Sequence, residues 1–282
     1  MSTSIKSRFS RPTPKTIGLY VTLYGAAFLF VLPYLYMLST SLKTEAFAFS
    51  EQPYWIPPEI TFQWYQAVLQ GAPILQWLLN TLVIAGATTI IVVIIDSMIA
   101  FSLTKLDWPG KRIVFTVIIA SFMVPIYANM VPLYTIISDF GLLNSPLAVI
   151  LPFSAIPIGV FLFTQFFKDL PDSVIEAAKL DGFSTFQIYL RIVLPLMKPA
   201  IAALSLYTFV YTWNQFLWPL IVLQGETSFT LPVGIVTTQP TQVFQPGAEM
   251  AVTLIAAAPL FIVFLILQEH LVNAVQMQGT TG

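Results

Sequence analysis

The side chains that do chemistry in most enzymes are scarce in this chain. Its 282 residues include no cysteine and a single histidine, His270. That composition excludes thiolate zinc sites, cysteine nucleophiles and catalysis by a pair of histidines. The phosphate-binding pattern GxxxxGK[ST] is also missing. We therefore expect no catalytic, cofactor-binding or metal-binding residues, and the polar side chains become candidates for binding and recognition.

An aromatic and amide cluster stands at Trp213, Asn214 and Gln215, within a long apolar stretch. An indole face stacks on a sugar ring, and amide groups hydrogen-bond to sugar hydroxyls. These residues are therefore candidates for a solute path, and Tyr127 and Asn129 offer similar chemistry elsewhere in the chain. Packing between membrane helices uses the same residue types, so a structural role remains the alternative.

Asp96 is an ionisable residue inside another apolar stretch. Inserting a carboxylate into a bilayer costs a few kcal/mol, so such a residue is by default functional. Asp96 is thus a further candidate for the solute path. The structural alternative is that it lies within about six residues of the inner helix end and pairs or reaches the interface there.

The elements that must position these residues are membrane helices. Hydrophobic residues make up 57% of the chain and charged residues 9%, with a mean hydropathy of +0.81, whereas a soluble domain carries roughly 25% charged residues. A helix needs about 20 apolar residues to cross the hydrocarbon core. We therefore predict an all-α integral membrane protein with six transmembrane helices near residues 17–39, 77–102, 113–137, 147–167, 199–222 and 249–268.

The basic residues predict the orientation of these spans. With a cytoplasmic N-terminus, eleven of the 12 Lys and Arg residues fall on the cytoplasmic side and only Lys43 falls outside, in agreement with the positive-inside rule. Residues 1–16 then form a cytoplasmic leader, residues 17–268 the six-span domain, and residues 269–282 a cytoplasmic tail. The net charge of −1 offers no cationic field for nucleic acid.

The segment 168–198, between the fourth and fifth predicted spans, is longer than a helix hairpin needs. Ser173 and Glu176 have the spacing of a capping box, which predicts a helix that starts at Ser173 and ends before Gly182. Ser184 and Gln187 form a second capping box. We expect two short helices that meet at the glycine.

This segment also resembles a known motif. Glu176-Ala177-Ala178, three residues, Gly182, nine residues, Ile192, one residue and Leu194-Pro195 are similar to the EAA loop of ABC importer membrane subunits. The pair Asp181-Gly182 resembles the sugar-importer branch, the maltose-type permeases, and in particular the maltose G-type subunit. Other segments resemble that family as well: Asn80-Thr81-Leu82, Ala100-Phe101-Ser102-Leu103, Pro109-Gly110-Lys111-Arg112, Pro132-Leu133-Tyr134, Gly141-Leu142-Leu143-Asn144, Lys198-Pro199-Ala200, Trp213-Asn214-Gln215-Phe216 and Thr230-Leu231-Pro232-Val233-Gly234.

The resemblance implies a type I ABC importer permease fold and the function of a permease subunit for a sugar or sugar-like solute in a prokaryotic cell membrane. It implies that the 168–198 segment transmits ATP-driven motion as a coupling helix. The implied coupling residues are Glu176, Ala177, Ala178, Leu180, Asp181 and Gly182. The implied partners are a second related permease, two ATPase subunits that bind ATP and Mg, and an extracytoplasmic sugar-binding protein.

Two departures from the family pattern concern the tail Val275–Gly282 and the segment Pro246–Ala251, which differ from the sequences usual in that subclass.

Two other functions remain open. A secondary transporter driven by an ion gradient would show repeated halves and mid-membrane ionisable residues, whereas Asp96 is nearly alone here and no repeat is evident. A non-transporting assembly or sensor subunit is the other.

Overall fold

The computed structural model of the chain describes residues 13–48, 50, 52, 54–238 and 245–279. Most of the leader, including Lys6, Arg8 and Arg11, and the last three residues of the tail lie outside the described residues. The described parts are built from helices, with one isolated β-bridge between Lys43 and Ile60. The α-helices are α1 Pro14–Ser41, α2 Glu45–Ala48, α3 Gln63–Gly71, α4 Ile74–Lys105, α5 Lys111–Ala120, α6 Met130–Asp139, α7 Pro146–Ile150, α8 Pro157–Lys168, α9 Asp172–Leu180, α10 Thr185–Ile188, α11 Leu194–Leu196, α12 Lys198–Trp213, α13 Leu217–Val222, α14 Leu231–Thr238 and α15 Pro246–Gly279.

The described helices are long and apolar enough for up to six membrane spans, three of them unbroken. The unbroken spans are α1, α4 and the part of α15 up to Glu269. The other three are bent pairs, Lys111–Met123 with Ile126–Asp139 at 94°, Pro146–Phe153 with Pro157–Lys168 at 45°, and Thr185–Leu196 with Lys198–Trp213 at 79°. The all-α membrane fold class expected from the sequence is confirmed.

Prolines stand at the bends. Pro125 and Pro157 each follow a short 3-10 turn, and Pro199 follows the third bend. A proline has no N–H and its ring collides with the carbonyl four residues earlier, so a helix cannot run through it undisturbed.

The fifth predicted span, 199–222, is not one helix. The chain leaves α12 at Trp213 and begins α13 at Leu217. The cause lies in Pro219, because its ring would collide with the carbonyl of Gln215 if the helix continued. The break places Asn214 and Gln215 in a non-helical corner of the chain.

The larger compact unit, residues 69–242 and 255–282, is organised around α4, which packs against α8 and α12. Apolar side chains fill this interface. Val92, Ala100, Phe163 and Phe167 are fully buried there.

The first two turns of α4 hold the 226–231 loop through backbone groups. The Trp77 indole N–H donates to the Glu226 carbonyl at 2.6 Å, and the Asn80 amide donates to the carbonyls of Thr227 and Phe229. The Thr81 hydroxyl accepts from the Leu231 N–H at 2.7 Å. These contacts give α4 a fixed partner at this end.

The smaller compact unit comprises residues 1–68 and 243–254. In it the Lys43 ammonium is 2% exposed, donates to the Thr40 hydroxyl and lies 4.9 Å from the Tyr36 ring centroid. Burial lowers the pKa of Lys43 from its ordinary value. The Lys43 carbonyl accepts from the Trp64 indole at 2.6 Å. The one basic residue predicted outside the cell is thus part of a packed cluster.

Gly234 provides a test of the contact around Trp77. A Cβ built on Gly234 would collide with the fully buried Trp77 ring, whereas one built on Gly86, within α4, meets nothing within 4 Å. We expect Gly234→Ala to destabilise the chain by about 1–3 kcal/mol through overpacking, measured as a lower thermal unfolding midpoint in detergent. Gly86→Ala is the matched control and should be neutral or stabilising. Equal midpoints for the two variants would contradict the packing described.

Candidate functional site

The helix α9 begins one residue earlier than the sequence predicts. Pro171 takes the N-cap position with an extended backbone, φ −59° and ψ 134°, and no side chain caps this end. The capping box predicted for Ser173 and Glu176 is wrong, because Asp172 is already helical and Ser173 lies in the first turn. An acid at the first position suits the positive helix N-terminus.

The predicted end of α9 is confirmed. Gly182 has φ +83°, its N–H donates to the Lys179 carbonyl at 3.1 Å, and the Phe183 N–H donates to the Ala178 carbonyl at 3.0 Å. These two hydrogen bonds define a Schellman motif, which needs a left-handed residue at the position of Gly182. The chain therefore reverses sharply after the EAA helix.

The second capping box is also confirmed. The Ser184 hydroxyl accepts from the Gln187 N–H at 3.3 Å, and the Gln187 side chain accepts from the Ser184 N–H at 2.9 Å. After α10 the chain forms one π-helical turn at Tyr189–Val193. The buried Tyr189 hydroxyl is hydrogen-bonded to the Ser97 hydroxyl of α4 at 2.7 Å.

The two faces of α9 differ in their surroundings. Ile175 and Ala178 are buried in the core with Tyr189 and Phe167, at 5% and 4% exposure. On the other face Glu176 and Ala177 are exposed, and Leu180 is 89% exposed. Asp181 and Gly182 are exposed at the end of the helix. Of the six residues predicted to face a partner, Ala178 is the one that packs inward, because its position shares a helix face with Ile175.

Lys105, the last residue of α4, connects that helix to α9. Its ammonium donates to the Leu170 carbonyl at 2.6 Å and to the Asp172 carboxylate at 2.7 Å. The Lys105 side chain is 5% exposed and the Asp172 side chain 79%. Since water screens the carboxylate, the hydrogen bond to the buried backbone is the stronger constraint. The sequence offered no signal for this contact, which spans 65 residues.

Trp213 does not reach a free surface. Its ring is 2% exposed and stacks on Phe209 with centroids 5.4 Å apart, which favours the packing alternative for this residue. Asn214 is exposed at the corner after α12, and its amide donates to the Val210 carbonyl at 2.7 Å. Gln215 is half-buried beside it.

Two tyrosines on α12 extend this polar surface and were missed from the sequence. Tyr207 and Tyr211 stack with centroids 6.0 Å apart, and Tyr207 is 45% exposed. The Tyr211 hydroxyl lies close to the Gln215 side chain and within electrostatic range of Tyr127. The spacing of 207, 211 and 215 was the available signal, because residues four apart share a helix face. We call Tyr127, Tyr207, Tyr211, Asn214 and Gln215 the tyrosine-amide surface.

Asn129 and Tyr127 lie in the 3-10 turn Ile126–Asn129 between α5 and α6. Both are exposed, Tyr127 at 69%. The structure thus places Tyr127 within electrostatic range of Tyr211. It leaves Asn129 exposed on the same turn.

Asp96 is fully buried and lies at a helix joint. Both carboxylate oxygens accept from the Ile156 N–H at 3.3 Å, where Ile156 caps α8. A Cβ on Gly159, in the first turn of α8, would collide with the carboxylate. The contact satisfies a backbone donor at the bend before α8, and it is a structural role of a kind the sequence did not predict.

Most of the chain matches a known protein family. The family model described as binding-protein-dependent transport system inner membrane component matches residues 97–277. The match includes the whole 168–198 segment and the tyrosine-amide surface.

Individual relatives are similar over most of their length. The arabinooligosaccharides transport system permease protein AraQ of Bacillus subtilis is 34% identical over 227 residues, 80% of this chain and 81% of the relative. The diacetylchitobiose uptake system permease protein NgcG of Streptomyces coelicolor is 29% identical over 89% of this chain and 83% of its own length. Among solved structures, a bacterial ABC transporter involved in the import of the acidic polysaccharide alginate contains a chain with a TM-score of 0.79 and 23% identity, covering 93% of this chain and 98% of that one.

The Schellman motif at Gly182 generates a test by hydrogen exchange. A β-branched residue adopts φ +83° only at a cost of roughly 1–2 kcal/mol, whereas asparagine tolerates the left-handed region. We expect Gly182→Val to raise the exchange rates of the Gly182-position and Phe183 amides by about tenfold, with Gly182→Asn close to wild type. Equal protection in the two variants would show that the turn does not depend on the left-handed residue.

Proposed function

The chain belongs to the family of binding-protein-dependent transport system inner membrane components, and on that premise we propose that it carries a sugar or sugar-like solute in an ABC importer while its 168–198 segment couples to an ATPase. The observation that carries the coupling role is the exposed face of α9. The Leu180 side chain is apolar and 89% exposed, on a helix held by Lys105 at its start and by the Schellman motif at its end. Such a side chain suits burial against another protein. Glu176, Ala177, Asp181 and Gly182 would share that contact, with Ala178 supporting it from inside.

Family membership makes the chain a non-catalytic membrane subunit that functions within an importer complex. We further propose the composition of that complex: a second related permease, two ATPase subunits that hold ATP and Mg, and an extracytoplasmic binding protein. The exposed apolar surface of α1, including Val21, Phe30 and Tyr24, is compatible with lipid or a second permease around it.

The chain is a multi-pass membrane protein, and we propose that both termini are cytoplasmic. The positive-inside distribution of eleven basic residues out of 12 supports this orientation. In it the ends of α4 and α8 at Lys105 and Lys168, together with α9, face the cytoplasm, as ATPase coupling requires.

The solute class rests on relatives and on side-chain chemistry. The named relatives carry arabinooligosaccharides and diacetylchitobiose according to their names, and a third, the sn-glycerol-3-phosphate permease UgpE of Yersinia pestis, is 35% identical over 70% of each chain. We propose a sugar-like solute here, because the tyrosine-amide surface offers stacking faces together with hydroxyl and amide groups. Asn129 is a further proposed contact, Trp213 holds the surface from behind, and Asp96 positions α8.

The coupling role is tested at Leu180. An aspartate in an interface that excludes water is left unpaired and disfavours the contact, so Leu180→Asp should lower ATP-driven uptake at least about tenfold in proteoliposomes containing the whole complex. Leu180→Met keeps an apolar side chain of similar size and should retain uptake. Membrane insertion, followed by the amount of chain in the membrane fraction, should be equal for both variants. Normal uptake by Leu180→Asp would exclude α9 as the coupling element.

The same vesicles separate an ABC importer from an ion-driven transporter. Uptake that needs ATP and persists after ionophores collapse the ion gradients supports the importer. Uptake that follows the gradient without ATP would support the secondary-transporter alternative instead.

The solute path is tested at Tyr211. Tyr211→Phe keeps the stacking ring and removes one hydroxyl, so loss of a hydrogen bond should raise the half-saturating solute concentration about two- to tenfold. Tyr24→Phe on α1, where the tyrosine is 72% exposed, is the matched control and should leave uptake unchanged. Asn214→Ala should also weaken uptake, with the complex still assembled. Unchanged uptake in Tyr211→Phe and Asn214→Ala would remove the tyrosine-amide surface from the path.

A further inference from the structure

A cavity of about 440 Å³ opens where α4 and α8 end and α5 begins, beside the start of α9. Its walls mix apolar residues, hydroxyls and charges. The lining residues are Leu103, Thr104, Lys105, Lys111, Arg112, Phe115, Thr164, Lys168 and Asp172. We call it the basic pocket. None of the roles proposed above for transport uses it.

The charges in the basic pocket do not balance. Four of the lining residues are cations and one is a carboxylate. Lys105 is paired with Asp172, and Lys111 is paired with Asp107 at 2.8 Å. Among the described residues, Arg112 and Lys168 have no carboxylate within ion-pair distance. Both side chains belong to exposed residues at the mouth.

The helix α5 adds to the positive potential. Its N-cap is Gly110, which has no side chain to cap the helix, and its first two residues are Lys111 and Arg112. The free N–H groups of a helix N-terminus carry a partial positive charge, so cations there are unfavourable and an anion is favourable. An anion between α5 and Lys168 would offset two repulsions. One is between the α5 N-terminus and its own cations, and the other is among the unpaired cations of the pocket.

The location indicates which anion fits. The pocket lies at the ends of the spans α4 and α8, at the depth where lipid headgroups meet a membrane protein. The Phe115 ring is 6.0 Å from the Lys168 ammonium and forms an apolar wall beside the cations. Arginine binds a phosphate group through two parallel N–H donors, and lysine binds it as a point charge.

We propose that the basic pocket binds a phosphate-bearing anion through Arg112 and Lys168, and that an anionic phospholipid supplies the phosphate. Its headgroup would sit between the two cations while the first carbons of the acyl chains pass along Phe115. Lys105 shares the pocket and is bonded to the first residue of α9. A bound phosphate would therefore compete with Asp172 for Lys105 and link the lipid to the coupling segment.

Binding to the purified complex tests this directly and does not depend on transport. The probes are dioctanoyl phosphatidylglycerol, dioctanoyl phosphatidylcholine and inorganic phosphate, titrated calorimetrically against wild type in detergent. The test variant carries Arg112→Gln with Lys168→Gln. Its matched control carries Arg191→Gln with Lys198→Gln, which removes one exposed arginine and one exposed lysine from the same end of the protein. Thermal midpoints of all three proteins verify folding.

We expect wild type and the control to bind phosphatidylglycerol, and the test variant to bind it on the order of thirtyfold more weakly. Raised salt should weaken the wild-type binding, since the contact is electrostatic. Tighter binding of phosphatidylglycerol than of inorganic phosphate identifies lipid as the source, and equal binding identifies a free phosphate in the same site. The proposal is overturned if phosphatidylcholine binds wild type as tightly as phosphatidylglycerol, or if the control variant loses as much affinity as the test variant.

Discussion

A broken helix inside a membrane leaves backbone N–H and C=O groups without partners, and no water is present to replace them. The described part of this chain has three bent spans and a corner after α12, and polar side chains satisfy the backbone at several of these points. The Asp96 carboxylate accepts from the N–H at the start of α8, and the Asn214 side-chain amide donates to the Val210 carbonyl. The Trp218 indole donates to the Ala148 carbonyl at 3.0 Å. The positions of these few polar residues therefore decide where the apolar chain can turn.

The helix α4 makes polar contacts at both ends and in its middle. Trp77, Asn80 and Thr81 hold the 226–231 loop at one end, Asp96 holds α8 in the middle, and Lys105 holds the entry to α9 at the other end. Apolar packing between helices is weakly directional in lipid, because lipid tails are as apolar as leucine. Hydrogen bonds spaced along α4 supply the missing direction.

The 168–198 segment gains its rigidity from local and distant bonds together. The Schellman motif at Gly182 and the capping box at Ser184 fix the two short helices relative to one another. Lys105 and the Ser97–Tyr189 pair then attach both to α4. A partner that moves the exposed end of α9 would move α4 and, through the core, α12 with its tyrosine-amide surface. Stiff connections of this kind are needed if a push on a surface helix is to move the membrane spans.

The sequence determined features that depend on neighbouring residues. Hydrophobic run length predicts membrane helices, glycine at a helix end predicts the left-handed turn at Gly182, and Ser184 with Gln187 predicts its own capping box, because each depends on contacts within a few residues. The motif around Glu176 was sufficient to indicate the family. Only the tertiary structure decided which alternatives hold where distant segments meet. Trp213 packs inward against Phe209, Ala178 faces the core, Asp96 caps α8, and Lys105 finds Leu170 across 65 residues. Local pattern cannot assign these roles, since a buried tryptophan and a solute-binding tryptophan have the same neighbours in sequence and differ only in what the fold places against the ring.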